Sequence, residues 1–221
     1  MTRVKICGLT NFDDARAAAE AGADLLGFNF YRPSARHVEP EVAAEIIARL
    51  KVERAAVNVS GTPVGFVGVF VNAPLEVVQS IQLLCGLDLV QLHGDEPPAY
   101  VCALGVRAFK ALRPQSAEQA RTGAAEFSAA GGASEPRFLI DTSHPHLYGG
   151  TGATGDWSVA AEIASQHCSL LAGGLTASNV ASAIRTVRPW GVDVASGVER
   201  APGLKDAAQV RRFIQHVRET I

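Results

Sequence analysis

The sequence predicts an α/β fold: a small (β/α)8 TIM barrel, with residues 1–221 forming a single domain. Three observations predict it. Short apolar or β-branched runs recur eight times along the 221 residues, separated by stretches of helical character. Strand followed by helix implies parallel strands joined by right-handed crossovers, and near-continuous apolar runs suit strands covered on both faces. Eight such units fit a small barrel, whereas the rival doubly wound open sheet usually needs fewer strands. Neither a linker nor a low-complexity tract interrupts the rhythm.

The predicted strands are, in order, VKIC (4–7), LLGFNF (25–30), GFVGVFV (65–71), LVQLHG (89–94), AFKAL (108–112), RFLIDT (137–142), SLLAGG (169–174) and GVDVAS (191–196). The segment after the first, FDDARAAAEAGA, is alanine-rich, with Asn11 or a neighbour as its cap. EPEVAAEIIARL sets Val42, Ile46 and Ile47 on one helical face, and PLEVVQSIQLL opens with Pro74 at a first-turn position. TASNVASAIRTV spaces Val180, Ile184 and Val187 as a helix does, and LKDAAQVRRFIQHV closes the chain. Residues 51–64 are the least regular part and read as a long excursion before the third strand. SAAGGASEPR (128–137) reads as a loop rather than a domain boundary.

Composition narrows the function. Hydrophobic residues make up 48 %, charged residues 19 %, and the formal net charge is −2, so no basic surface for nucleic acid is evident. No apolar run approaches the roughly 18 residues of a membrane span, and polar residues in MTRVKICGLTNFDD arrive too early for a signal-peptide core. The expectation is a cytoplasmic protein that binds neither nucleic acid nor membrane. Cys7, Cys85, Cys102 and Cys168 have neither C-x-x-C nor zinc-finger spacing, so no metal is expected. Cys85, Cys102 and Cys168 read as buried small hydrophobes.

A parallel barrel carries its active site at the C-terminal ends of the strands. The first run ends in Cys7, the fourth in His93, the fifth near Lys110 and the sixth in Asp141. The seventh and eighth end in Gly173–Gly174 and Ser196–Gly197. Glycines there let backbone N–H groups approach an anion beside a helix N-terminus, and two adjacent loops of this kind favour a phosphate site over simple tight turns. Gly150, Gly152 and Gly155 fit G-x-G-x-x-G, but no strand directly precedes them and no carboxylate follows at dinucleotide-fold spacing. They read as a mobile glycine-rich loop able to close over a ligand.

Asp141, at the mouth of an apolar run, is partly desolvated, which favours its neutral form and suits a general acid. A helix cap or a pairing with Lys110 is the structural alternative. Cys7 by itself reads as a core residue before it reads as a catalyst. Lys5, on the same strand face, is the candidate cation for raising its thiolate fraction.

Taken together, KICGLT (5–10), GADLLGFNF (22–30), SARHV (34–38), VGVFVN (67–72), VQLHGDE (90–96), YGGTG (148–152), LAGGLTASNV (171–180) and GVDVASGVE (191–199) resemble the phosphoribosylanthranilate isomerase family over nearly the whole chain. The resemblance implies a cofactor-free isomerase of tryptophan biosynthesis, monomeric or homodimeric, acting on a phosphosugar–anthranilate substrate. It implies Cys7 as general base, Asp141 as general acid and Arg36 on the anthranilate carboxylate. It also implies phosphate binding by Gly173, Gly174, Ser196 and Gly197, with Gly152 closing from another side and His93 as a wall residue without a chemical step. Two positions depart from the family pattern: Gly155 stands where phenylalanine is usual, and Ala35 where proline is common. Two rival readings remain. One is a Schiff-base lyase or aldolase with Lys110 as the amine nucleophile. The other is a sugar-phosphate sensor without catalysis.

Overall fold

The computed structural model describes residues 1–56, 63–129, 135–142 and 157–220. Eight parallel strands close into a barrel in chain order: β1 (Arg3–Cys7), β2 (Leu25–Asn29), β3 (Gly65–Phe70), β4 (Leu89–Leu92), β5 (Ala108–Leu112), β6 (Phe138–Asp141), β7 (Ser169–Ala172) and β8 (Gly191–Val194). The helices are α1 (Phe12–Glu20), α2 (Pro40–Ala56), α3 (Leu75–Cys85), α4 (Pro98–Leu104), α5 (Ala117–Ala129), α6 (Trp157–Ala164), α7 (Val180–Val187) and α8 (Ala207–Glu219). β8 pairs with β1 through Arg3↔Gly191 to Ile6↔Val194, which removes both sheet edges. Between β8 and α8 the chain makes a short 3₁₀ turn (Ser196–Val198) and an antiparallel pair, β9 (Glu199–Ala201) with β10 (Leu204–Lys205).

Alternation along each strand divides the core in two. Val4 and Ile6 of β1, Phe138 and Ile140 of β6, and Val192 and Val194 of β8 pack outward into the layer beneath the helices. Leu25, Val67, Phe109, Ala111, Leu139, Leu170 and Ala172 form a separate cluster inside the barrel. Residues between the outward positions therefore face the interior, which puts Lys5, Cys7, Asp141 and Asp193 on the inside.

Local chemistry sets the helix starts. Asn11 Oδ1 accepts from Asp14 N at 2.9 Å, capping α1, and Asp206 Oδ1 accepts from Ala208 N and Gln209 N to cap α8. Pro74 takes the cap position of α3, one place before its first turn. Val180, Ile184 and Val187 bury one face of α7.

Several expectations need correction. The irregular stretch expected from residue 51 begins later, because α2 runs to Ala56. Ile46 and Ile47 are buried, but Val42, in the first turn of α2, is 43 % exposed. Of the three cysteines expected in the core, only Cys85 is buried. Cys102 follows buried Val101 by one residue on α4 and so turns outward, and Cys168 precedes β7 and faces the Glu135 carboxylate. No helix among the described residues is long and apolar enough to cross a membrane.

Candidate active site

The C-terminal ends of the strands surround one pocket. Cys7, Arg36, His93, Asp141, Gly173, Gly174 and Ser196 all line it. Gly197, next to Ser196, is not among the lining residues but packs against Leu175, which is, and Gly152 lies outside the described residues, as does Gly155. The sequence did not single out Asn29, Gln91 or Asp193, which also line the pocket.

β1 supplies the thiol. Cys7 pairs in register with Gly27 of β2, and a methyl group at Gly27 would sit 2.9 Å from Cys7 Sγ and 3.1 Å from Lys5 Nζ. The bare glycine thus leaves room for thiol and ammonium to meet. Lys5 is wholly buried, with Nζ 2.8 Å from Asp193 Oδ1. Burial pushes the Cys7 thiol above its ordinary value; the Lys5 charge pulls it back without reversing the shift, and Asp193 opposes Lys5. Lys5 therefore sits where the strand period puts it, yet its surroundings hold Cys7 as a thiol at neutral pH. For Lys5 itself, burial works downward, but Asp193 and Cys7 outweigh it, so the ammonium is held charged.

Across the barrel, Asp141 Oδ2 is 3.4 Å from His93 Nε2, and both side chains are nearly buried. His93 Nδ1 is 2.7 Å from Gln91 Nε2. With Gln91 as donor there, the imidazole proton sits on Nε2 and faces Asp141. Neither His93 Nε2 nor Gln91 Oε1 makes a hydrogen bond among the described residues, although both atoms are buried. The alternative of an Asp141–Lys110 pair does not hold. Lys110 lies between the inward Phe109 and Ala111, so it points outward, pairing with Glu96 at 2.7 Å and Gly94 O at 2.6 Å. Burial lowers the Lys110 pKa and the Glu96 pair recovers only part of it, but this amine does not reach the pocket.

Arg36 enters from the loop after β2. Its Nε and Nη2 pair with Glu199 Oε1 and Oε2 at 2.9 and 2.7 Å. Lys205 Nζ binds the same carboxylate at 2.8 Å. Burial works against the Glu199 charge, but Arg36 and Lys205 outweigh it and hold the carboxyl below its usual range. The Arg36 loop is fixed at its base: Tyr31 N donates to Asn29 Oδ1, and both Asn29 Nδ2 and Arg36 N donate to Ser34 Oγ. Ala35 is therefore held by its neighbours' hydrogen bonds rather than by a proline ring. Arg36 lies over Gly8, where a β-carbon would come within 2.6 Å of its Cδ. Its Nη1 has no protein partner among the described residues.

The two glycine loops lie side by side. Gly173 and Gly174 have φ of 100° and 62°, the left-handed region that favours glycine. A β-carbon on Gly197 would collide with the Leu175 carbonyl, so this glycine is what lets the loop after β8 close on the loop after β7. Asn179 fastens the β7 loop, with its Nδ2 donating to Gly174 O and its Oδ1 accepting from Thr176 N. None of the loop and turn hydrogen bonds among the described residues uses the N–H of Gly173, Gly174, Ser196 or Gly197. Those donors can serve an anion. Among the described residues, no cluster of His, Cys, Asp or Glu is arranged to hold a metal ion.

Comparison with known proteins places the chain in a family. The profile of the family described as N-(5'-phosphoribosyl)anthranilate (PRA) isomerase matches residues 4–216. N-(5'-phosphoribosyl)anthranilate isomerase of Pelobacter propionicus is 45 % identical over 220 residues, covering 100 % of this chain and 97 % of its own. The protein of that name from Trichlorobacter lovleyi is 46 % identical over 222 residues, covering 100 % of both. The crystal structure of phosphoribosyl anthranilate isomerase from Thermotoga maritima superposes with a TM-score of 0.82 at 36 % identity, covering 99 % of both chains. Another solved isomerase, in complex with reduced 1-(o-carboxyphenylamino)-1-deoxyribulose 5-phosphate, has a TM-score of 0.79 at 34 % identity over 99 % of both chains. With a profile match over almost its whole length and relatives near 45 % identity end to end, the chain belongs to the N-(5'-phosphoribosyl)anthranilate isomerase family.

Proposed function

We propose that residues 1–221 work as one barrel domain that converts N-(5'-phosphoribosyl)anthranilate to 1-(2-carboxyphenylamino)-1-deoxyribulose 5-phosphate by an Amadori rearrangement. The observation that carries the reading is an acid–base pair on well-separated strands facing one pocket. Cys7 ends β1 and Asp141 ends β6, with β7 and β8 between them, and both line the cavity. Asp141 protonates the furanose ring oxygen, and the ring opens to a Schiff base. Cys7 then takes the C2 proton, and the enolamine tautomerises to the aminoketose. The iminium nitrogen receives the electrons, so the step calls on no redox or metal chemistry.

The remaining contacts follow from charge and shape. Arg36 Nη1 meets the anthranilate carboxylate, because a guanidinium held by Glu199 presents its free edge in a fixed direction. The N–H groups of Gly173, Gly174, Ser196 and Gly197 take the phosphate. Gly152, outside the described residues, is the further residue assigned to substrate binding in this reading, and His93 with Gln91 forms the wall beside Asp141. The reading includes work in the cytoplasm as a monomer or homodimer; the solved relatives include monomers generated from a dimeric Thermotoga maritima isomerase.

The test is direct. Adding purified protein to N-(5'-phosphoribosyl)anthranilate should abolish its fluorescence and yield the aminoketose. Decay no faster than the uncatalysed rate would leave only the sensor reading.

A further inference from the structure

At the pocket wall lies an ion pair that the acid–base scheme does not use. Lys5 has no exposed surface and Asp193 very little, and their charged atoms are 2.8 Å apart. An apolar cluster of Leu25, Val67, Phe109, Leu139 and Leu170 fills part of the same barrel interior. Removing two charges from water generally offsets their attraction, so apolar side chains would fill this space at no loss of stability. What the pair provides is position. Asp193 uses one of the three Lys5 donors, and Lys5 Nζ and Cys7 Sγ both crowd the one point on β2 where Gly27 carries no side chain.

We propose that Lys5 is a positioning residue for the base: its ammonium, fixed by Asp193, donates a hydrogen bond to the Cys7 sulfur and sustains the thiolate that accepts the C2 proton. The proposal rests on Cys7 being the base. Asp193 acts in two opposed ways. It keeps Lys5 charged in a buried place, and it takes up part of the charge that Cys7 would otherwise feel. The other charged groups around Cys7 are Lys205, Arg36 and Glu199 from the loops above, with His93 and Asp141 across the pocket. Lys205 and Arg36 share Glu199 in the loops above, whereas Lys5, beside its pairing with Asp193, shares the space over Gly27 with the Cys7 sulfur.

The test measures the thiol without using turnover. Intact protein is alkylated with iodoacetamide over a neutral-to-alkaline pH series, and the peptide containing Cys7 is quantified by mass spectrometry. Lys5→Met should move the Cys7 inflection up, and Asp193→Asn should move it down, each by about one pH unit, or about tenfold in thiolate at fixed pH. Because Lys5→Met strands a buried carboxylate, the double variant Lys5→Met/Asp193→Leu keeps the test open if the single variant does not fold; it too should raise the inflection. Inflections that stay put, or that move the same way in Lys5→Met and Asp193→Asn, overturn the proposal. Turnover of Cys7→Ser is measured in parallel. If that variant is dead while the inflections do not move, the role of Lys5 alone fails. If it retains wild-type turnover, the assignment of the base fails with it.

Discussion

Arg36 and Glu199 meet edge to edge, with Nε 2.9 Å from Oε1 and Nη2 2.7 Å from Oε2. The carboxylate is itself held by Lys205 Nζ at 2.8 Å and by Gly203 N at 3.3 Å. The β9–β10 excursion after the last barrel strand thus aims a guanidinium that arrives from a loop near the other end of the chain. Glu199→Gln should leave the barrel folded and loosen Arg36. The expected outcome is a KM raised by about tenfold, on the scale of one charge-assisted hydrogen bond, with kcat little changed. Arg36→Ala should raise KM further. A fall in kcat at constant KM would contradict the binding role proposed for Arg36 and the aiming role of Glu199.

Cys7→Ser and Asp141→Asn should each lower kcat by roughly 10²–10⁴, about 3–5 kcal/mol of transition-state stabilisation, with the circular-dichroism spectrum unchanged. Burial raises the Cys7 thiol, so the proposed base is scarce at neutral pH and the sign is fixed. Wild-type kcat should climb as pH rises from neutral toward the thiol's inflection, and Cys7→Ser should lose that limb.

Gly197→Ala places a methyl group against the Leu175 carbonyl and forces the backbones of the loops after β7 and β8, the proposed phosphate loops, apart. Weaker competitive inhibition by inorganic phosphate and a raised KM are expected. Destabilisation should be on the order of 1–3 kcal/mol, because the backbone and not a flexible side chain must yield. Unchanged phosphate inhibition would mean that the anion lies elsewhere.

Asp24 ties the barrel seam to the last helix. It accepts from Arg3 Nη1 at 2.8 Å, Val4 N at 2.7 Å and Arg218 Nη2 at 2.7 Å. Burial works against the Asp24 charge, but Arg218, Arg3 and the Val4 amide outweigh it and lower the pKa. A carboxyl lowered on folding stabilises the protein fully above its unfolded value, near about 4, and loses that contribution as pH falls through the lower folded value. Asp24→Asn should cost about 1–3 kcal/mol in urea unfolding at pH 7, and the difference from wild type should vanish in strong acid. A constant difference across that range would remove the charge as its cause.

Much of this was legible in the chain itself. The eight apolar runs, the polar residue ending each one and the paired glycine loops are local features, set by residue type and short-range spacing. They located Cys7, His93, Asp141, Gly173, Gly174 and Ser196, all of which line the pocket. Lys5 could be placed on the face of Cys7 because strand side chains alternate with a period of two.

What the sequence could not decide was which face is inside. A period of two defines two faces equally well, so Lys110 was a plausible nucleophile until barrel closure turned Phe109 and Ala111 inward and Lys110 out toward Glu96. Asp193, in the middle of an apolar run, gave no local sign of its partner, because Lys5 is 188 positions away. Glu199 is likewise 163 positions from Arg36. Residue types and their short-range order determined the strands, the turns and the chemistry available at the rim. Only the closed barrel, by bringing the first strand against the eighth, decided which charges meet, and so set the thiol's protonation and the direction of the arginine.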